Sequence, residues 1–460
     1  MKKKMLIVLS VVIVAAGLAV PLTNLIAGKP SGTALASKKA SDPALAQVAA
    51  ILEGKCAHCH VPGTPAPYYA KLPVVSGFIA GDIAAGLRSM DLVVELFPGA
   101  DAKVSEPALA KIEREVAKGD MPPASYLAAH WNSGLNAAEK AAIQQWISQT
   151  RTQHHQWQGL PDNLRSAPIP PLPTTLLVDA KQAELGRKLY HDKRLSGDDT
   201  VSCASCHDLA KGGTDQAKVS TGVRGQKGGI NAPTTFNAAF QFVQFWDGRA
   251  PTLEAQAGGP PNNPVEMDSN WKQIIGKLDA DTAFAQEFKA SYPDGFTEKT
   301  ITDAIAAFER TLLTPDSRFD KYLKGDTKLL SADELRGYTL FKDTGCTTCH
   351  SGVLLGGGSF ELMGRHGDYF KDRGGALSDA DKGRINASKA ESDLHKLKVP
   401  TLRNIARTFP YFHDGSTSDL KEAVRVMAKY QCGEDLSKDD CASVAAFLET
   451  LTGEYQGKPL

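Results

Sequence analysis

Cys203-Ala204-Ser205-Cys206-His207 and Cys346-Thr347-Thr348-Cys349-His350 share the pattern Cys-x-x-Cys-His, and Cys56-Ala57-His58-Cys59-His60 repeats it nearer the N-terminus. The pattern is the attachment signature of c-type haem. Two thiols add across the vinyl groups, and the adjacent His ligates the iron on its proximal side. A zinc site would need further paired Cys or His ligands close by, and these stretches lack them. Three copies consume six of the eight cysteines. The expectation is three covalently bound haem c groups, on Cys56 and Cys59, Cys203 and Cys206, and Cys346 and Cys349, with His60, His207 and His350 as proximal ligands.

Outward from the second and third motifs the chain repeats itself. Gly186-Arg187-Lys188-Leu189-Tyr190 precedes one and Gly337-Tyr338-Thr339-Leu340-Phe341 the other. Each unit closes on a matching stretch, Ala306-Ala307-Phe308-Glu309-Arg310-Thr311-Leu312 and Ala445-Ala446-Phe447-Leu448-Glu449-Thr450-Leu451. Ile301, Ile305, Phe308 and Leu312 share one face at helical spacing. This reads as an internal duplication. Ahead of it, Ala44–Glu53 predicts a helix leading into the first motif. Asn136-x-x-Glu139 is a capping box opening a helix that buries Ile143, Trp146 and Ile147. Strand-like alternation is scarce. The expected fold is all-α: three cytochrome c-like haem domains in tandem, the last two an internal duplication, behind an N-terminal transmembrane helix.

The transmembrane element is read from Lys2-Lys3-Lys4 and the apolar run from Met5 to about Gly28. A bilayer core takes roughly 20 helical residues, and the positive-inside rule keeps the lysines cytoplasmic. The alternative is a signal peptide cleaved at Ala34-Leu35-Ala36, but the run is long for one and the site lies far from it. The expected boundaries are 1–28 for a membrane anchor or uncleaved signal, 29–43 for a linker, and 44–158 for an N-terminal cytochrome c domain. A stiff Pro-rich linker follows at 159–175, then haem domains at 176–316 and 317–454 and a tail at 455–460. The expected location is the bacterial inner membrane, with the haem domains in the periplasm. That compartment is oxidising, so Cys432 and Cys441 are placed to form a disulfide; two free, buried thiols are the alternative. In the 460 residues, 52 basic and 52 acidic side chains cancel, so charge gives no case for nucleic acid as a partner.

Ligation assigns roles. A haem with two strong protein ligands carries electrons; one with an open position binds and activates small molecules. In the first unit Met121, on the loop stiffened by Pro122 and Pro123, is chosen over Met90, which lies in a helical stretch, and over His130. His58 is read as exposed. In the third unit Met363 and Met427 remain even. The middle unit has no His between His207 and His350, and Met267, beside Glu266, is the sole Met before its closing helix. Two carriers and one open iron follow.

From about Leu172 to Gly453 the chain resembles the bacterial dihaem cytochrome c peroxidases. The stretches that carry this are Ile230-Asn231-Ala232-Pro233-Thr234, Gln244-Phe245-Trp246-Asp247-Gly248-Arg249-Ala250, Val265-Glu266-Met267, Pro315-Asp316-Ser317 with Phe319-Asp320-Lys321-Tyr322-Leu323, and Pro410-Tyr411-Phe412-His413. With the first unit and the anchor it is most similar to the membrane-bound trihaem form, the quinol peroxidases. The resemblance implies a peroxidatic haem in 176–316 and an electron-transfer haem in 317–454, with Met427 as the distal ligand of the latter. It implies Glu266 as acid–base group, Gln256 as the residue that orients peroxide, and Trp246 between the haems. It also implies one calcium ion on Asn231 and the carbonyls of Thr408 and Pro410, with hydrogen peroxide as oxidant and quinol or a cytochrome as donor. A homodimer stays open. His413 receives no catalytic role. Val223 stands where many members carry a haem-blocking His, which implies a peroxidatic haem ready to react when oxidised.

Without the resemblance, Glu266, Gln256 and Trp246 would read as a surface acid, a loop residue and a core aromatic. Two rivals remain: a pure electron-transfer cytochrome, and a dihaem oxygenase of the methylamine dehydrogenase maturation type. Three closed haems would favour the first. A Tyr in place of Met427 would favour the second.

Overall fold

The computed structural model describes residues 18–26, 32–38, 43–73, 75–99, 103–154 and 160–460. They fall into two compact units, Met1–His154 and His155–Leu460.

In the first unit the Pro43–His60 helix carries the haem motif at its C-terminal end. Leu45, Val48, Ala49 and Leu52 recur along one face and pack against Leu109, Ile112 and Val116 of the Glu106–Lys118 helix and Ile143, Trp146 and Ile147 of the Ala137–His154 helix. This 3–4 spacing buries an apolar stripe while the opposite face stays in water. The predicted capping box forms in both directions: Asn136 N–H donates to Glu139 at 2.8 Å, and Glu139 N–H to Asn136 Oδ1 at 2.9 Å. Leu35, within the stretch expected as a linker, is fully buried in this core.

The transmembrane helix, and with it anchoring at the inner membrane, is overturned. Among the described residues no helix is long and apolar enough to cross a membrane. Residues 18–26 are helical. Asn24 in that helix is buried and donates Nδ2 to Ala129 O at 2.8 Å, so the segment docks on its own unit through a polar contact. Residues 1–17, which include the three lysines, and residues 27–31 lie outside the described residues.

The second unit is built on two similar helix pairs. The Ala180–Tyr190 helix packs on Glu298–Glu309, and Ala332–Asp343 on Lys438–Glu449. Each crossing closes on a glycine. A Cβ at Gly186 would stand 1.8 Å from Ala304 O and 2.9 Å from Phe308 Cβ. At Gly337 it would stand 1.9 Å from Ser443 O and 3.0 Å from Phe447 Cβ. The fold is mostly rather than wholly helical. Phe360–Leu362 pairs antiparallel with Lys396–Lys398, and Glu454–Tyr455 with Lys458–Pro459, so the expected tail is a small hairpin.

The Pro-rich stretch is not a free connector. Ile169 to Pro173 are buried. Gly352 N–H bonds Pro168 O at 2.8 Å, and Leu172 N–H bonds Asp320 Oδ1 at 3.1 Å. Arg403, fully buried, donates to Pro170 O at 3.1 Å and to Asp320 Oδ1 at 2.6 Å.

Candidate active site

Two proximal histidines are held for metal ligation. His60 Nδ1 lies 3.0 Å from Met90 O, and His350 Nδ1 lies 2.9 Å from Leu355 O. A carbonyl only accepts, so Nδ1 carries the proton and Nε2 is left with its lone pair for iron. His207 is half-buried with its Nδ1 wholly enclosed, which favours the neutral form, and among the described residues that Nδ1 makes no hydrogen bond; the main chain at Gly213 and Pro233 lies near enough to favour the protonated ring. Tyr190 OH donates to His207 O at 2.6 Å and fixes the motif against the Ala180–Tyr190 helix.

A cleft of about 1620 Å³, part of it open to solvent, lies beside the third motif. Cys346, Cys349, His350, Met363 and Met427 line it together with an otherwise largely apolar wall. These donors and this wall fit a covalently held haem. Both candidate methionines reach the cleft, so geometry leaves the choice to the family pattern, which favours Met427. In the first unit the Val75–Ser89 helix buries none of its side chains and leaves Phe78 exposed, and further along it approaches the haem motif at Gly86, whose Cβ would stand 2.4 Å from Cys59 O. An apolar helix left open against the motif fits the same group. Met121 is 42% exposed on its loop, whereas Met90 is core. His130 is buried, with Nε2 2.7 Å from Tyr69 OH and Nδ1 3.0 Å from Tyr126 O, so neither nitrogen is free to ligate. His58, expected in solvent, is half-buried with Nδ1 2.5 Å from Tyr126 OH.

The disulfide expected of Cys432 and Cys441 is not formed. Cys432 lies within hydrogen-bonding reach of Cys346, and Cys441 is core, with Sγ 4.0 Å from Leu436 O. Sequence proximity does not aim the two thiols at each other.

In the Cys203 half, Glu266 is half-buried, accepts from Asn263 Nδ2 at 2.7 Å, and lies near enough to Cys206 to affect its thiol. Burial pushes its carboxyl above the usual range, and the Arg249 charge partly offsets this. Gln256 sits half-buried on the Leu253–Ala257 helix. Its neighbour Ala257 and Glu266's neighbour Met267 share one core cluster with Val223. Met267 is thereby packed in the core of this half. Trp246 is buried and donates Nε1 to Asn231 O at 2.9 Å.

Asn231, Thr408 and Pro410 line the same cleft. Asn231 Nδ2 donates to Ala217 O at 2.9 Å, turning its Oδ1 away from that bond. Among the described residues neither that oxygen nor the carbonyls of Thr408 and Pro410 accepts a hydrogen bond. Three unbonded hard oxygens fit calcium.

Sequence reasoning missed a buried charge network. Asp381 accepts from His413 Nε2 at 2.7 Å and from Arg373 at 2.7 and 3.0 Å, and Arg373 also bonds Asp414 at 2.8 Å. Asp381, His413 and Asp414 have the spacing of a metal cluster, but the guanidinium already supplies the cation. The Pro410–His413 stretch gives no hint of it in the sequence, because its partners come from distant loops.

The chain matches the family model Di-haem cytochrome c peroxidase over residues 180–328 and the model Haem-binding domain over residues 19–149. It is 46% identical over 407 residues to Cytochrome c peroxidase Ccp of Escherichia coli (strain K12), covering 88% of this chain and 87% of that protein. It is 45% identical over 288 residues to Cytochrome c551 peroxidase of Nitrosomonas europaea, covering 62% of this chain and 84% of the relative. Among solved structures, a MauG-like protein associated with microbial copper homeostasis matches with a TM-score of 0.55 at 30% identity, covering 65% of this chain and 95% of that one. With the haem-ligating geometry already in place, this similarity makes the chain a member of the di-haem cytochrome c peroxidase family, an oxidoreductase that acts on hydrogen peroxide.

Proposed function

We propose that the chain is a three-haem peroxidase that reduces hydrogen peroxide to two waters with two electrons and two protons. The third haem is supported by the Cys56–His60 motif, the orientation of His60 and the match of residues 19–149 to a haem-binding model. We assign domains at 44–158, 176–316 and 317–454, with peroxide chemistry in the second and electron transfer in the first and third. His60 with Met121 and His350 with Met427 would hold two of the irons, and His207 would hold the third, where peroxide chemistry would take place.

The haem on Cys203 and Cys206 supplies the metal at which peroxide binds and the O–O bond is reduced. Glu266 takes a proton from one peroxide oxygen and delivers it to the departing oxygen, as base and then acid. A carboxyl raised by burial holds and releases a proton nearer neutral pH than a solvated one. Gln256 orients peroxide and stabilises charge on the departing oxygen. Trp246 lies between the two haem-bearing halves of the second unit and aids electron passage. Asn231, Thr408 and Pro410 hold calcium beside it. The donor we propose is a reduced c-type cytochrome, because the case for quinol rested on a membrane-spanning helix.

The observation that carries this reading is Glu266: a half-buried carboxyl whose charge is felt at Cys206, in the half whose sole Met, Met267, is packed in the core. The test is peroxide consumption with reduced cytochrome, and separately with a quinol, by the parent and Glu266→Ala. A loss of about 10²-fold or more in kcat is expected, with the haem spectra unchanged. Equal rates remove Glu266 from the mechanism, and turnover with quinol alone reverses the donor assignment.

A further inference from the structure

Lys398 ends the Lys396–Lys398 strand and is 4% exposed. Its Nζ donates to Gln241 Oε1 and, at 3.1 Å, to Val243 O. Both acceptors are neutral. The acid that acts on it, Asp247, is bonded to Arg249 at 3.0 Å. A buried ammonium without an anion is expensive, several kcal/mol in effect, and burial accordingly pulls Lys398 down to about 7. Such a group persists where something else supplies the negative charge. Lys398 also lines the cleft of Cys346, Cys349, His350 and Met427, and among the described residues it is the sole Lys or Arg to do so. A haem carries two propionate carboxylates, and an otherwise largely apolar cleft must meet them with something.

We propose that Lys398 is the counter-charge for a carboxylate of the haem held by Cys346, Cys349 and His350, and so biases that haem toward its reduced form. The inference rests on the reading that this cleft holds a haem. Its physical basis is charge balance. Reduction adds one negative charge to the centre, and a fixed cation at a propionate favours that addition. Without Lys398 the carboxylate is uncompensated and the oxidised form gains. Lys398 belongs to the half with Cys346 and is held by the half with Cys203: Gln241 and Val243 accept from the ammonium, and Lys398 N–H bonds Trp246 O at 2.8 Å. One side chain thus joins the electron-transfer haem to the segment that carries Trp246.

The test is a spectroelectrochemical titration of the holoprotein, following the methionine-ligated haem of this cleft separately from the others. Lys398→Met and Lys398→Gln both remove the charge, so one remains if the other fails to take up haem. Each is expected to shift the reduction equilibrium of this haem at least tenfold toward the oxidised form, which is 59 mV for one electron. The other haems stay put, and Lys398→Arg restores the parent value. An unchanged midpoint in the neutral variants overturns the proposal, as does an equal shift of every haem. If mass analysis of the parent shows no haem on the peptide containing Cys346 and Cys349, the underlying reading falls as well, and that result is distinct from an unshifted midpoint.

Discussion

The His413 ring meets Trp246 edge to face, with centroids 6.3 Å apart and planes at 69°. Its Nε2 is tied to Asp381 at 2.7 Å, and its backbone carbonyl takes the N–H of Asn231, whose own carbonyl takes the Trp246 indole. The tryptophan is therefore fixed from two sides by one loop, Pro410–His413, and the Asp381 network sets the orientation of that loop. A position between electron carriers requires such rigidity, because coupling falls steeply with distance and angle.

Asp381→Asn should be among the more damaging single changes in the second unit. Asp381 accepts from Arg373, His413 and Ser378, and removing its charge leaves the half-buried Arg373 guanidinium with Asp414 as its remaining anion. Breaking a fully buried pair from one side costs about 3–5 kcal/mol, and the partial exposure of Arg373 and its bond to Asp414 set the loss below that range. These partners hold the Asp381 carboxyl well below the usual range. A depressed acid contributes stability above its unfolded value, near 4, and loses it as pH falls toward the folded value. Melts of parent and variant from pH 7 to pH 3 should keep a constant gap down to about pH 4 and begin to close it below that. A constant gap at all pH values would mean the loss is packing rather than charge.

Gly186→Ala and Gly337→Ala should fail alike and locally. Each added methyl enters a backbone carbonyl, Ala304 O in one case and Ser443 O in the other. Overpacking of this kind costs about 1–3 kcal/mol, and more where the backbone cannot yield. Chemical denaturation with haem absorbance as the probe should show Gly186→Ala loosening the Cys203 haem first and Gly337→Ala the Cys346 haem first. The same haem responding to both changes would argue against equivalent helix pairs.

Glu309 offers a test with the opposite sign. It is buried beside Cys203 and Tyr190, and burial pushes its carboxyl up to about 8. A raised acid favours folding below its unfolded value near 4 and loses that contribution as pH climbs to 8. Glu309→Gln keeps the shape without the charge. It should match the parent near pH 4 and exceed it at pH 8 by about 4 kcal/mol, since each unit of mismatch is about 1.4 kcal/mol and burial raises this carboxyl by more than three units. Differential scanning of both proteins at the two pH values checks this. A variant less stable than the parent at pH 8 would mean that the carboxylate is paired.

What the sequence made legible was chemistry that is local in the chain. Cys-x-x-Cys-His is covalent and has fixed spacing, so its three copies announce haem without a fold. The glycines at 186 and 337 and the phenylalanines at 308 and 447 could be read as a duplication because a helix crossing constrains both partners. Lys398 and Asp381 were not legible: they are ordinary surface residue types whose meaning comes from burial by distant loops. The membrane helix was over-read for a related reason. Hydropathy counts apolar residues in a row, but Asn24 finds its acceptor on Ala129, far along the chain. Cys432 and Cys441 looked like a pair because they are close in sequence, yet helix geometry sends one to Cys346 and the other into the core.

The loop around Val223 should make peroxide turnover immediate. Val223 is fully buried, its N–H bonds Glu266 O at 2.9 Å, and a Cβ on Gly222 would stand 2.1 Å from Val265 O. Gly222 N–H and Gly228 N–H add bonds to Gln226 O and Ser220 O at 2.8 and 2.9 Å. Moving this loop would expose a valine, at about 1.5–3 kcal/mol, and would pull on the backbone that positions Glu266. Valine offers no ligand atom, so nothing on this loop must leave before peroxide enters. Stopped-flow mixing of fully oxidised protein with peroxide should show reaction without a lag, and prior reduction should leave the initial rate within about twofold, under 0.5 kcal/mol of barrier. Val223→His should behave otherwise: an imidazole forced into this core position costs about 1–3 kcal/mol, and swinging it out places a nitrogen toward the haem side, where it delays the first turnover. A lag in the parent that only pre-reduction removes would place the blocking ligand elsewhere in the chain.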